Sequence, residues 1–574
     1  MSPLAKKRLR ASADGAKGKS TAGRTAFDKL RGGYYTPRHM ASWLCAWAIR
    51  APGESILEPS CGEGVFLDCA AERLAELGVP PRRAARQLMG LEIVAAEAEK
   101  ARRRLARRCG SSGASVLTED FFDWHERNRA RQFDCAVGNP PFIRYQNFPE
   151  PSRSVAMKLM KRLGLRANRL TNIWVPFVVG ATVHLAPGGR LAMVLPAELL
   201  QVSYASQLRS FLARHFSSID ILACNQLLFD LAEQEVLLVL ADGKRQTPST
   251  EGRSRIDLRE VRRLDNDLLG PLRDGRRRTR QKRVNHDSEK WLKYFLTPAE
   301  ISLMRRLRAS PEIGDLGSHA AVDVGVVTGR NAFFVISIDE IERLGLDDHV
   351  VPIVGRSSQL KGAVLSAAEW RELAARGERV FLFHMEPGLF ASSSKSARDY
   401  IAFGETRGYH KGYKCAIREP WYCVPGVWEP DCFFFRQIYD FPRVVANRAD
   451  ATSTDTIHRV RCNGNRDLLL TNVYTHLTAA SAEIEGRSYG GGVLELEPTE
   501  AERVLVPGEL RALLSPQEVD GFVRRGKLDD LLGVMDEKLL VDGLGLSRRE
   551  CSTLKRIWSK LRDRRRNRKR RPAR

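Results

Sequence analysis

Between residues 55 and 142 four short apolar runs follow one another, and each closes on a polar side chain. Ser55-Ile56-Leu57-Glu58 leads through Pro59-Ser60-Cys61 into Gly62-Glu63-Gly64, a glycine-containing turn that opens a helical stretch. Leu88-Met89-Gly90-Leu91-Glu92 ends in an acid, Val116-Leu117-Thr118-Glu119-Asp120 ends in a second, and Phe133 to Val137 runs through Gly138 into Asn139-Pro140-Pro141-Phe142. Strands alternating with helical stretches select an α/β architecture with a mostly parallel sheet. In such folds ligands sit at the carboxyl ends of the strands, where all four polar closures fall.

The residue types at those ends define the chemistry. Gly62 and Gly64 allow backbone to approach a ligand closely. Neither the full dinucleotide glycine pattern nor a phosphate loop with its Gly-Lys-Ser/Thr is present, so dinucleotide binding is disfavoured. A carboxylate at Glu92 can accept from both hydroxyls of a ribose, and one at Asp120 can accept from an adenine amine, with Phe121 placed to pack on the ring. Taken singly, each acid also reads as a solvated strand-end carboxylate; the ordered series is what points to a nucleoside-containing cofactor. Asn139-Pro140-Pro141-Phe142 supplies acceptors with few competing donors, because proline carries no N–H. The Asn139 side-chain oxygen and the Pro140 carbonyl can each take a hydrogen from a planar amine, drawing its lone pair out of conjugation. Phe142 offers a face for a stacked base. As a bare four-residue string the same sequence would serve as a strand-end turn.

With Gly32-Gly33-Tyr34-Tyr35-Thr36-Pro37 upstream of the Glu58 strand, the order of these segments resembles that of the gamma-class DNA amino-methyltransferases of bacterial restriction-modification systems. The resemblance covers roughly residues 27 to 243. It implies a Rossmann-like class I methyltransferase domain and S-adenosylmethionine as cofactor. By that likeness Thr36, Glu58, Cys61, Gly62 and Gly64 face the amino acid end of the cofactor, Glu92 the ribose, and Asp120 and Phe121 the adenine. Asn139 to Phe142 form the catalytic pocket, with Pro141 also against the cofactor. Phe142 and Phe229 stack on the target base, although a core phenylalanine at 229 fits the pattern equally. Cys61 and Glu63 occupy a turn whose composition varies among methyltransferases, so its backbone carries more of the implied contact than its side chains. Asn-Pro-Pro-Phe also occurs in methyltransferases of protein glutamine and of RNA guanine, which are smaller and lack both the Tyr-Tyr-Thr-Pro segment and a long C-terminal half.

The remaining chain fits a polyanionic partner. Lys and Arg number 93 against 69 Asp and Glu, a net charge of +24 with a pI near 9.8. Such an imbalance favours nucleic acid through phosphate neutralisation. No run of about 18 apolar residues is present, no apolar signal region follows the basic start, and the 11 cysteines include no Cys-x-x-Cys. Neither a membrane partner, a metal site nor a disulfide scaffold is therefore expected, and reduced thiols in a bacterial cytoplasm are the simplest account. We read residues 1–25 as a disordered basic tail, 26–243 as the methyltransferase domain and 244–312 as a basic connector. Residues 313–510 then form a mixed α+β target recognition domain, and 511–574 a basic helical C-terminal region. Arg276, Arg277, Arg278 and Arg280 in the connector are candidates for phosphate contact; Arg330, Tyr409 and Lys411 are candidates for base contact. Ser515-Pro516 marks a helix start, and Leu554, Ile557, Trp558 and Leu561 share one helical face suited to docking on the protein. Too little chain precedes Gly32 for a fused nuclease domain.

The resemblance, in which Asn rather than Ser before Pro-Pro goes with adenine, implies transfer of a methyl group to adenine N6 in a specific double-stranded DNA sequence, by base flipping, with a separately encoded cognate restriction endonuclease as the partner such systems allow. Cytosine N4 is the alternative target, and a non-catalytic DNA-binding subunit with the same fold is the alternative role.

Overall fold

The computed structural model describes residues 36–110, 116–166, 171–224, 236–250, 254–261, 264–273, 289–386, 388, 390, 392–488 and 491–567. The chain divides into two compact units between Phe295 and Leu296. Tyr34, Tyr35, Phe229, Arg276, Arg277, Arg278 and Arg280 lie outside the described residues.

The first unit is built on one eight-stranded sheet: β1 (Ile56–Glu58), β2 (Leu88–Glu92), β3 (Val116–Thr118), β4 (Phe133–Gly138), β5 (Leu185–Pro196), β6 (Phe216–Cys224), β7 (Val236–Lys244) and β8 (Arg255–Val261). The strand order is β3-β2-β1-β4-β5-β7-β6-β8. The first five strands are parallel, β7 runs antiparallel between β5 and β6, and β8 is parallel to β6. Parallel strands covered on both faces need no polar alternation, and this is why β1 and the first four residues of β2 are uniformly buried.

Three helices bury apolar stripes in one core with the sheet. Helix α1 (Arg38–Ala48) contributes Met40, Trp43, Leu44 and Trp47; α2 (Val65–Glu76) contributes Phe66, Leu67, Ala70 and Leu74; and α3 (Ala95–Cys109) contributes Ala98, Ala101 and Leu105. The small side chains of α3, at helical spacing, let it pack closely against the turn after β1. A separate aromatic cluster joins α4 (Phe121–Arg127) to α5 (Trp174–Val183): Phe121 and Phe122 lie 5.4 and 4.8 Å from Phe177 between ring centroids.

The segment read as a connector, 244–312, contains ordered parts of the first unit. β8 extends the sheet, Trp43 Nε1 donates to Asp265 O at 3.0 Å, Arg273 donates to Ala46 O, and Trp291 is fully buried. The alternation Ile256, Leu258, Val261 was masked in sequence by the arginines and acids between these residues, which face outward or pair with one another, as Arg259 does with Asp257 at 2.7 Å.

The second unit carries a five-stranded sheet in the order Ala320–Asp323, Ile457–Cys462, Cys432–Phe435, Val444–Arg448, Val364–Ser366. The first four strands are mutually antiparallel, and the last pairs parallel with Val444–Arg448. Trp421 and Tyr422 lie half-buried outside any strand against the unit's aromatic core. Ser515 caps the helix Pro516–Arg524 through a reciprocal capping box with Glu518. The C-terminal helix Arg548–Asn567 buries Leu554, Ile557, Trp558 and Leu561. It is also fixed by a buried ion pair, in which Arg565 donates to Glu483 at 2.6 Å and to the carbonyls of Tyr439 and Gly492 at 2.8 and 2.6 Å. This helix, read as a separate region after residue 510, therefore packs within the same compact unit as 313–510.

Candidate active site

β1 lies between β2 and β4, the point at which a doubly wound sheet reverses its winding and leaves a crevice. Parallel register brings the polar closures to one edge. Glu58 pairs with Gly90 and Glu92 with Thr118, while Asn139 directly follows the last residue of β4. A Cβ at Gly138 would lie 3.5 Å from Glu58 Cγ. Glu92 Oε2 accepts from the Gly62 amide at 2.9 Å, and the Glu119 amide donates to Glu92 O at 3.1 Å. Glu58, the Cys61–Gly64 turn, Glu92, Asp120 and Asn139 thus line one continuous edge.

The two glycines of the turn do different work. Gly62 has φ +51° with no atom within 4 Å of where a Cβ would stand, so its exposed side is open to a ligand. Gly64 has φ +82°, and a Cβ there would meet Ala101 Cβ at 2.8 Å, so its glycine serves the packing of α3. Glu63 is paired with Arg104 at 3.0 Å, and Cys61 is buried with its thiol pushed well up by desolvation. The backbone of the turn is what remains to face a ligand. Thr36 is buried and borders a cavity together with Arg38, Glu63 and Asp68.

Burial raises the carboxyls of Glu58, Glu92 and Asp120 above the usual range, Glu58 strongly. Amide donors oppose the shift: Leu67 at Glu58, Val94 and Gly62 at Glu92. Glu92 further raises Glu58, and Glu97 further raises Glu92. Such an edge favours a ligand that brings positive charge or hydrogen-bond donors. Among the described residues, Glu58 Oε2 and Ser60 Oγ are buried without a hydrogen-bond partner. S-adenosylmethionine, with an ammonium, a sulfonium and two ribose hydroxyls, fits this donor-hungry set.

Two of the side chains read as cofactor contacts have a part in the fold itself. Asp120 caps α4, its Oδ1 accepting from the Phe122 and Asp123 amides at 2.7 and 3.2 Å. Phe121, read as covering an adenine, is 2% exposed and turned toward Phe177 and Gly180, where it sits so close that a Cβ on Gly180 would be 2.6 Å from its ring. The ring belongs to the aromatic core because α4 begins at that residue and aims it at α5. At the end of β4, Pro140 is buried, Asn139, Pro141 and Phe142 are half-buried, and Phe142 packs against the core of the first unit. The following loop is pinned where Ile173 N donates to Ile143 O at 2.9 Å.

In the second unit the Arg330 guanidinium sits 4.7 Å over the ring of Tyr409, which also meets Phe333 at 5.8 Å and Phe403 at 6.5 Å. Tyr409 is thereby half-covered, while Arg330 and Lys411 are exposed. In the same aromatic and cationic stretch Tyr413 is 76% exposed, and Ile417, which the sequence did not single out, is 63% exposed. An apolar residue four positions after an aromatic gives no sequence signal that both face outward.

Two family models match the chain: the Type II methyltransferase M.Eco57I C-terminal domain over residues 288–540, and the Eco57I restriction-modification methylase over residues 91–228. The Type II methyltransferase M.AccI of Acinetobacter calcoaceticus is 22% identical over 489 residues, covering 82% of this chain and 84% of that protein. The chain is similar to Type II restriction-modification methyltransferases over most of its length. M.XamI of Xanthomonas campestris pv. amaranthicola, a second such relative, is 23% identical over 502 residues, 83% of this chain and 85% of its own length. Among solved structures, the Type IIL restriction-modification enzyme MmeI in complex with DNA shares the fold, with a TM-score of 0.53 and 11% identity over 91% of this chain and 75% of that one. The methylase model spans Glu92, Asp120 and Asn139 to Phe142, and the C-terminal domain model spans Arg330, Tyr409 and Lys411. Among the described residues no helix is long and apolar enough to cross a membrane, and no group of His, Cys, Asp and Glu is placed to hold a metal ion.

Proposed function

We propose that the chain transfers a methyl group from S-adenosylmethionine to N6 of adenine at a specific sequence in double-stranded DNA, and that it protects DNA from a cognate restriction endonuclease. The observation that carries this reading is the position of Asn139-Pro140-Pro141-Phe142 at the carboxyl end of β4, beside Glu58 of β1 and on the same edge as Glu92. The cofactor supplies an activated methyl on a sulfonium, a good leaving group. Gly62 and the acids at the strand ends orient it; Glu92 and Asp120 are assigned to its ribose and adenine. Asn139 Oδ1 and the Pro140 carbonyl accept from the target amine and raise the electron density on its nitrogen, with Phe142 beneath the ring. With the cofactor held there, its sulfonium would supply the methyl and keep the S–C electron pair, while Asn139 Oδ1 and the Pro140 carbonyl would hold the amine whose surplus proton leaves to solvent. Alignment and electrostatic support of the amine are the catalytic contribution. An adenine within a duplex is reached by flipping it out of the stack, at a cost of a few kcal/mol.

Asn139→Ala tests the assignment. Methyl transfer to duplex DNA from labelled cofactor should fall at least about a hundredfold, while cofactor affinity measured by calorimetry is kept. Activity within a few-fold of wild type would refute the role of Asn139. Methylation-aware sequencing of DNA from expressing cells reads the product directly: N6-methyladenine at one motif is expected, and N4-methylcytosine would transfer the same mechanism to the other base.

A further inference from the structure

We propose that Tyr413 and Ile417 form an apolar wedge that enters the base stack of the DNA substrate. The one-turn helix Tyr413–Ala416 is held from one side only. Cys415 is fully buried, its Sγ 3.8 Å from Thr328 O, and Arg418 donates to Thr328 O at 2.8 Å and to Val327 O. Gly329, at φ +79°, allows this approach, since a Cβ there would stand 2.8 Å from Lys414 Cβ. The turn is therefore rigid, and its anchoring leaves Tyr413 and Ile417 outward, 76% and 63% exposed.

Two large apolar side chains presented by a fixed turn are costly in water and need an occupant. The surround says which. Arg330, Lys411 and Lys414 are exposed around the pair, and Lys414 Nζ lies 5.8 Å from the centre of the Tyr413 ring. Lysine is depleted from protein–protein interface cores, whereas an apolar wedge ringed by cations suits a kinked duplex, the cations on phosphates and the wedge between bases. Two acids lie near: Glu405 already accepts from the Trp421 indole N–H at 3.0 Å, and Glu419 is exposed two positions beyond Ile417, leaving the cations in excess. The proposal rests on the reading of the chain as a base-flipping methyltransferase: a duplex giving up a base loses stacking that an inserted ring can replace.

The test uses the full chain carrying Tyr413→Ala and Ile417→Ala together, with Tyr413→Phe as the conservative variant. Both sites are exposed, so folding, checked by thermal denaturation, should be unchanged. On a fully paired substrate the double variant should lose methyl-transfer efficiency by about tenfold or more, and on a duplex with an abasic site opposite the target by less than about threefold, because the stack is already open. Tyr413→Phe should match wild type on both. Equal losses on the two substrates would make the pair a plain contact and overturn the wedge, as would no loss on either. A second measurement needs no methyl transfer: relaxation of closed circular DNA in the presence of protein. Wild type should lower the linking number and the double variant should not. A wild-type chain that unwinds DNA but methylates nothing would fail the proposed function and leave the wedge standing; one that methylates without unwinding would do the reverse.

Discussion

Gly62 and Gly64 are two residues apart, both at positive φ, and should fail in opposite ways when given a methyl group. At Gly64 the left-handed conformation costs a residue with a Cβ about 1–2 kcal/mol, and φ is +82°. The added carbon also lies 2.8 Å from Ala101 Cβ and 2.9 Å from Ala101 Cα. Backbone of α3 cannot swing away as a flexible side chain would, so overpacking adds about 1–3 kcal/mol, for a total of roughly 2–5 kcal/mol. For a unit of this size that corresponds to an unfolding transition lower by about 3–8 °C. Gly62→Ala carries only the conformational part, about 1–2 kcal/mol, because nothing stands within 4 Å of the new carbon. That empty space is where the cofactor is assigned, so the loss should be in binding: at least about tenfold in S-adenosylmethionine affinity, or 1.4 kcal/mol. Differential scanning calorimetry and titration calorimetry on the two variants separate these effects. Ala101→Gly in the Gly64→Ala background should recover only the share of the overpacking due to the Ala101 Cβ, read as a coupling energy in a double-mutant cycle. Gly62→Ala with wild-type affinity would refute the placement of the cofactor, and Gly64→Ala with wild-type stability would refute the packing argument.

Asp120→Ala should lower stability by about 1 kcal/mol through the lost cap of α4, whereas Asp120→Asn keeps the cap; if Asp120 also accepts from the cofactor, both variants bind it more weakly by calorimetry, and unchanged affinity in both would leave capping as its whole role. His125 is held down to about 4 by burial and by the neighbouring His184, so it stays neutral in the folded chain while the unfolded chain protonates near 6.5. Stability from this group is then full above pH 6.5 and falls as pH drops towards 4; His125→Gln should flatten that part of a melting-temperature profile, and an unchanged slope would clear the pair of responsibility. Arg565→Met strands the Glu483 carboxylate, which is 3% exposed, and should cost about 3–5 kcal/mol in urea denaturation, with Glu483→Gln added to it restoring part of the loss. A cost under about 1 kcal/mol would mean that the pair is solvated as the helix end frays.

What the sequence discloses and what it hides follow from where the determinants lie. β1, β2 and β4 are legible because a strand buried on both faces must be apolar throughout, and the acids at their ends stand out against that background. β8 is not, because Arg255, Asp257, Arg259 and Glu260 alternate with its apolar residues and the strand is an edge whose partner, β6, is 30 or more residues away. The same locality explains the site. Asp120 could have been read as a helix cap from its place before Phe121-Phe122-Asp123, a local pattern with a local consequence. The direction of the Phe121 ring depends on Gly180, 59 residues later in the chain, and no local pattern contains it. The division of labour between Gly62 and Gly64 depends likewise on Ala101, which packs against one and not the other. A glycine spacing can therefore announce that a turn is tight, but which glycine serves the ligand and which serves the fold is decided by the helix that packs behind it. That is the physical reason to assign cofactor contacts in this chain from the packing of the turn, one residue at a time.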